Sequence, residues 1–162
     1  MGVKHKPSSI RGIKLQKMGI APPDDWSDIG QVRTAKKQEM GVLCTAAIYE
    51  GIEVGGKRYS LTAYDQTELM AQLSLVKEGA AAVPYHADGE LCRMFEAAEF
   101  MEVANAAIQH IFYHRSYCNH LNAWIRDANM ETLDKITYGA ELPKKLAQSM
   151  ADLFASAGGG GT

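Results

Sequence analysis

From Glu96 to about Asp127 the sequence runs for roughly thirty residues with helical periodicity and without a single Gly or Pro, which dictates one long helix. At 1.5 Å per residue such a helix is nearly 50 Å long, about the full width of a small domain or more. Its apolar seam is Phe100, Ala104, Ala107, Ile111, His114, Cys118, Leu121 and Ile125, spaced alternately by four and three residues, as the a and d positions of heptads are. Only His114 interrupts its apolar character. A flanking row of Val103, His110, Tyr117 and Trp124 recurs every seventh residue and widens the stripe beyond a two-stranded seam. A helix longer than the body around it should bury part of that face elsewhere. The candidates are the local sheet, the chain's own first helix, and neighbouring copies in a homo-oligomer such as a trimer. The seam, with His110, Tyr117 and Trp124 beside it, is the expected interface, while a long core helix of a monomer fits the periodicity equally well.

The rest of the chain predicts an α+β fold. A first helix starts near Asp25, with Ser27 or Asp28 as N-cap, and runs to Tyr49 with Gly51 as its stop. Gly30 and Gly41 inside it each weaken it by about 1 kcal/mol relative to Ala, so it needs a packing partner. Ile52-Glu53-Val54, Gly55-Gly56 and Lys57 to Thr62 read as a hairpin around a turn that permits positive φ. Thr62 and Asp65 form a short capping box for a helix from about Ala63 to Lys77. A second hairpin pairs Ala82–His86 with Glu90–Met94 through Ala87-Asp88-Gly89, and Pro84 marks its first strand as an edge. The two hairpins are expected to make one small sheet packed with helices. Glu131–Ile136 and Pro143–Phe154 read as a short and a terminal helix. The expected segments are a basic arm over 1–25, an α+β domain over 26–137, a helical extension over 138–157 and a Gly-rich tail over 158–162.

Charge is distributed unevenly. Lys4, Lys6, Arg11, Lys14 and Lys17 meet no acid in the first twenty residues, which leaves twelve basic against nineteen acidic residues in the remainder. The near-neutral total of −2 conceals a basic arm on an acidic body. Pro7 denies the arm a regular start and Pro22-Pro23-Asp24-Asp25 closes it, so it reads as an extended docking arm. Three roles are open: folding back on the chain's own body, docking on an acidic protein groove, or binding nucleic acid by counterion release. No aromatic precedes Trp26, and the lack of a stacking surface argues against nucleic acid. The 46% apolar and 22% charged residues exclude disorder and a disulfide-dense scaffold. No stretch approaches the ~18 apolar residues of a membrane span and no secretory h-region opens the chain, so a soluble, unsecreted protein without membrane contact is expected. Cys44, Cys92 and Cys118 lack CxxC spacing and predict reduced thiols.

The residues capable of chemistry are few. His110, His114 and Cys118 stand at i, i+4 and i+8 on the long helix, a spacing that can present imidazoles to a metal ion. However, Ile111, Phe112 and Tyr113 occupy the interval where a zinc hydrolase carries its acid. A seam imidazole suits core hydrogen bonding or register, and Cys118 among Ile111, Leu121 and Ile125 suits an inert thiol. There is no GxSxG elbow and no phosphate-cradling glycine loop. Glu96, Glu99 and Glu102 complement the helix macrodipole. No catalytic residue, metal or cofactor is expected.

One family resemblance emerges from the order of elements and from particular residues. Gly51-Ile52-Glu53-Val54-Gly55-Gly56-Lys57-Arg58-Tyr59-Ser60-Leu61-Thr62, the helix and hairpin that follow, Met94-Phe95-Glu96-Ala97-Ala98-Glu99-Phe100 opening the long helix, and Leu121-Asn122-Ala123-Trp124-Ile125 near its end resemble a domain of unknown function found in phage tail-fibre and other tail-associated proteins. The resemblance covers about residues 35–137. Glu96 departs from it, standing where that family usually offers a Ser or Thr cap. The resemblance implies a non-enzymatic component of a phage or phage-like tail, baseplate or fibre-attachment region, assembled in the host cytoplasm and partnered by other tail, baseplate or fibre proteins. Two other classes stand beside it: a tail assembly chaperone, and a metal- or thiol-dependent enzyme using His110, His114 and Cys118.

Overall fold

The computed structural model describes residues 10–158; Lys4 and Lys6 of the arm, and the last four residues of the Gly-rich tail, lie outside that range. Six helices and four short strands occur in the order α1 (Ile10–Lys17), α2 (Ile29–Tyr49), β1 (Ile52–Val54), β2 (Lys57–Tyr59), α3 (Ala63–Lys77), β3 (Ala82–Tyr85), β4 (Arg93–Glu96), α4 (Ala97–Asp127), α5 (Met130–Lys135) and α6 (Lys144–Gly158). The α+β class and the long helix are as the sequence predicts. Where the sequence suggested one body between two extensions, the described residues form two compact units, one of residues 10–44 and 115–158, the other of residues 45–114. Helices α2 and α4 contribute residues to both.

The first unit is helical. Its core contains Leu15 of α1, Trp26, Val32 and Met40 around and within α2, Leu121 and Ile125 of α4, Leu133 of α5 and Met150 of α6. Helix α2 opens at Asp28, whose Oδ1 accepts from the Gly30 and Gln31 amides at 2.8 and 3.2 Å, satisfying donors that a helix start leaves bare. The described part of the arm is not extended: it forms α1, and Leu15 and Ile20 are buried in this core. Charge complementarity directs that docking. Lys14 Nζ lies 2.8 Å from Glu39 Oε1, Arg11 lies 2.8 Å from Asp134 and stacks 4.6 Å over the Trp26 ring, while Lys17 stays exposed. Folding back is thus the outcome among the three roles open to the arm, at least over residues 10–25. Residues 138–157 are likewise core rather than extension, since Tyr138, Leu142, Met150 and Phe154 pack against the same cluster. Their apolar positions Leu146, Met150 and Phe154 fall four apart on one face of α6.

Two buried charges sit in that core. Lys36 and Glu39 are each less than a tenth exposed; Lys36 Nζ lies 3.3 Å from Glu39 Oε2 and donates to the Ile136 carbonyl at 3.0 Å. Burial pushes the Glu39 carboxyl up, but the Lys14 hydrogen bond and the Lys36 charge together outweigh it and hold the group below its ordinary value.

The second unit carries the hairpins. Strands β1 and β2 pair antiparallel with Ile52 opposite Tyr59, and Gly55 and Gly56, at φ 59° and 75°, supply the turn. Gly51 matters more: at φ 77°, an added Cβ would meet the Tyr59 carbonyl oxygen at 2.0 Å. The Thr62–Asp65 capping box forms, with Asp65 N–H donating to Thr62 Oγ1 and Thr62 N–H to Asp65 Oδ2 at 2.8 Å. Strand β4 begins at Arg93 rather than Glu90, with Val83 opposite Phe95. The intervening loop is held by the first hairpin: Asp88 N–H donates to the Arg58 carbonyl at 2.9 Å, its carboxylate accepts from the Ser60 amide and hydroxyl at 2.9 and 2.6 Å, and Lys57 pairs with Glu90 at 2.8 Å. The hairpins are therefore two separate two-stranded sheets clasped by Asp88, not one ladder. Glu96, expected to open the long helix, instead ends β4 opposite Ala82, and Ala97 N–H continues the ladder to the Ala81 carbonyl at 2.9 Å. Tyr85 holds the core of this unit, edge-on to Phe95 and Phe100 at 5.8 and 5.3 Å between centroids and stacked on Tyr59 at 6.2 Å.

Two outcomes follow for stability. Gly51→Ala should cost more than about 2 kcal/mol in urea unfolding, combining a strained φ with a backbone clash. Because the Glu39 carboxyl is held below its ordinary value near 4.5, its contribution is fully present above that pH and lost as pH falls through the lower folded value. Lys14→Ala should therefore cost about 1 kcal/mol at pH 7 and progressively less as pH falls through the folded Glu39 value. Glu39→Gln, which strands the Lys36 ammonium, should cost about 3 kcal/mol at pH 7; equal losses for the two variants at pH 7 would contradict this assignment.

Candidate functional site

The eight seam residues of α4 can be placed one by one. Phe100, Ala104 and Ala107 are fully buried in the second unit, and Leu121 and Ile125 in the first. Ile111, His114 and Cys118, between those groups, are half-buried. The ends of the seam are thus covered by the chain's own side chains and are core, not an exposed surface for another copy. The helix is long because two cores use it in turn. Among the flanking residues, Val103 and Tyr117 are buried while His110 and Trp124 are half-buried.

The imidazole and thiol row does not converge. His110 Nε2 carries the hydrogen that it donates to the Ala47 carbonyl at 3.0 Å, so that nitrogen offers no lone pair to a metal. The His114 ring meets His110 edge-on at 4.6 Å and Tyr113 at 5.2 Å between centroids. Burial and the His110 imidazole hold His114 below the ordinary histidine range, against an opposing pull from Glu50. Cys118 belongs to a different setting in the first unit: its Sγ is 3.9 Å from the Met40 carbonyl and its thiol hydrogen-bonds Cys44. Burial first, and the neighbouring Cys44, push it up to about 11, the opposite of an activated nucleophile. Among the described residues no three His, Cys, Asp or Glu side chains are grouped to hold a metal ion.

Two buried polar side chains of α4, Tyr117 and His120, each fasten a different segment of the first unit. The Tyr117 hydroxyl donates to the Ala140 carbonyl at 2.6 Å and accepts from Gly139 N–H at 3.0 Å. The buried His120 ring joins the Ser116 carbonyl at 2.7 Å and Ser149 Oγ of α6 at 3.2 Å. Two open grooves lie in the same unit. One, of about 430 Å³, is lined by Pro22, Pro23, Asp24, Gln31 and Thr34, and the other, of about 720 Å³, by Lys144, Lys145, Gln148, Ser149 and Asp152. Neither brings a nucleophile, a base and an oxyanion donor together.

Outward-facing apolar groups make a different feature. In the second unit Leu91 is 91% exposed, Tyr64 76% and Met94 59%, and Ile108 and Tyr113 of α4 are exposed as well. The sequence pattern placed Leu91 in a strand starting at Glu90, gave Asp88 a turn role only, and did not single out Lys36 and Glu39. The spacing of Lys36 and Glu39, three apart on a helix, was the available signal for the pair. No helix among the described residues is long and apolar enough to cross a membrane.

No match was found among curated proteins or among solved structures. A family model does match, over residues 31–140, which takes in α2 through α5 and with them the whole second unit. By that match the chain belongs to the family described as domain of unknown function DUF4376.

Proposed function

We propose that this chain is a non-enzymatic structural component of a bacteriophage or phage-like tail, baseplate or fibre-attachment region, acting by protein–protein assembly. The observation that carries the reading is the set of large apolar side chains turned outward on the second unit, above all Leu91 and Met94 on the β3–β4 hairpin and Ile108 and Tyr113 on α4. Scattered single exposures are ordinary. Here, however, Leu91 sits in a loop that Asp88 and Glu90 hold in place, so an apolar group is presented on a fixed support. That arrangement suits a partner surface. The sequence resemblance of residues 35–137 to tail-associated domains supplies the kind of particle. Homo-oligomerisation, if it supplies the partner, uses this outward surface and not the buried seam.

The test is sedimentation of the full chain, alone and with purified tail particles, beside a Leu91→Asp, Ile108→Asp double variant whose fold is checked by circular dichroism. The parent should self-associate or co-sediment, and the double variant should lose that association at least tenfold with its fold unchanged. Mass spectrometry of particles should find the chain in stoichiometric amount. A monodisperse monomer indifferent to particles would overturn the reading, and association without retention in finished particles would make it an assembly chaperone instead.

A further inference from the structure

We propose that Cys44 and Cys118 are a redox-responsive pair that closes to an intramolecular disulfide, tying α2 to α4, when the protein meets a two-electron oxidant such as hydrogen peroxide. The two cysteines are 74 positions apart in sequence but meet in the core of the first unit. Cys118 Sγ lies 3.9 Å from the Met40 carbonyl, one helical turn before Cys44 on α2, and Cys44 is near enough to act on the Cys118 thiol. The Tyr138 hydroxyl also hydrogen-bonds Cys44, and its ring packs edge-on against Tyr117 at 5.3 Å. This is a continuous line of thiol and phenol groups fixed by packing. Cys44 is buried and Cys118 half-buried, so oxidant reaches Cys118 first.

The chemistry balances with peroxide alone. The Cys118 thiolate attacks one peroxide oxygen, the O–O bond breaks, hydroxide leaves and takes up the thiol proton as water, and a sulfenic acid remains on Cys118. Cys44 sulfur then attacks Cys118 Sγ, the S–O bond breaks, and the oxygen departs as a second water with the Cys44 proton. Two thiols are oxidised by two electrons and one peroxide is reduced to two waters. The groups acting on Cys118 are Cys44 from α2, Tyr138, and Arg115 on its own helix; of these Arg115 alone favours the thiolate. Closure is therefore slow at neutral pH and quickens by about tenfold per pH unit below the Cys118 value, because the attacking species is the thiolate. Cys44 ends the N-terminal segment of the first unit and Cys118 lies three residues after its second segment resumes. The bond would lock α2 and α4 together at that end of the unit, as a covalent latch and not a catalytic thiol.

The experiment uses the full chain carrying Cys92→Ser, which removes the exposed thiol and with it intermolecular crosslinks. Treated with hydrogen peroxide at pH 7, 8 and 9 and digested after alkylation, it should yield one peptide pair linked through Cys44 and Cys118. Its rate of appearance should rise about tenfold per pH unit, and dithiothreitol should reverse it. In Cys44→Ser, Cys92→Ser the same treatment should leave a sulfenic acid on Cys118 that dimedone traps. Two results would overturn the proposal: both thiols remaining open to alkylation at pH 9, or Cys118 passing to sulfinic acid with Cys44 still present and no linked peptide formed.

Discussion

Everything in this protein hangs on the sharing of one helix between two hydrophobic cores. The first half of α4 closes an aromatic core of Tyr59, Tyr85, Phe95 and Phe100 beneath the two hairpins, and its second half fills a helical core with Leu121 and Ile125. Neither hairpin could persist alone, since a two-stranded sheet is marginal in water without a packed face. The continuous backbone of α4 lets each unit rely on a helix too long to be supported by either core alone, and α2 does the same from the other direction. Both ends of the seam are buried within the chain, so the apolar groups that face outward are others, among them Leu91 and Met94.

Buried polar groups give this scaffold its particular arrangement. Apolar burial is non-directional, so it does not select which loop goes where. Lys36 reaching the Ile136 carbonyl, Tyr117 reaching Ala140 and His120 reaching Ser149 each tie a segment far along the chain to a helix. Each would be costly to leave without its partner, which makes alternative packings expensive. In the second unit the exposed Asp88 joins two hairpins that share no ladder. The docked α1 follows the same rule, with an exposed lysine completing the coordination of a buried carboxylate.

Much of the architecture was legible from local rules. The Asp28 N-cap, the Gly55-Gly56 turn, the Thr62–Asp65 capping box and the uninterrupted α4 were all readable, because turn, cap and propensity depend on neighbours within four residues. The errors lay at junctions. The start of β4 moved because Asp88 engages β2 through contacts 28 and 30 positions away, and Glu96 became a strand residue because its backbone pairs with Ala82. The arm seemed extended from its charges alone, yet Leu15 supplies enough apolar surface to anchor it once an acidic partner lies opposite. Of the candidate site, the row His110, His114 and Cys118 lies along one helix, but Cys118 belongs to a different environment from the two imidazoles, which meet edge-on.

The sequence by itself determined most of the elements: five of the six described helices and the two hairpins follow from periodicity, glycine placement and capping chemistry, which act over one turn, while α1 does not. Only the tertiary structure decided that both ends of the long apolar seam are buried, that the basic segment folds onto its own acidic body over α1, and that Cys118 lies beside α2 near Cys44. The physical reason is that a stripe of apolar residues specifies that a surface must be covered, while what covers it depends on long-range contacts whose sequence separation local patterns do not encode.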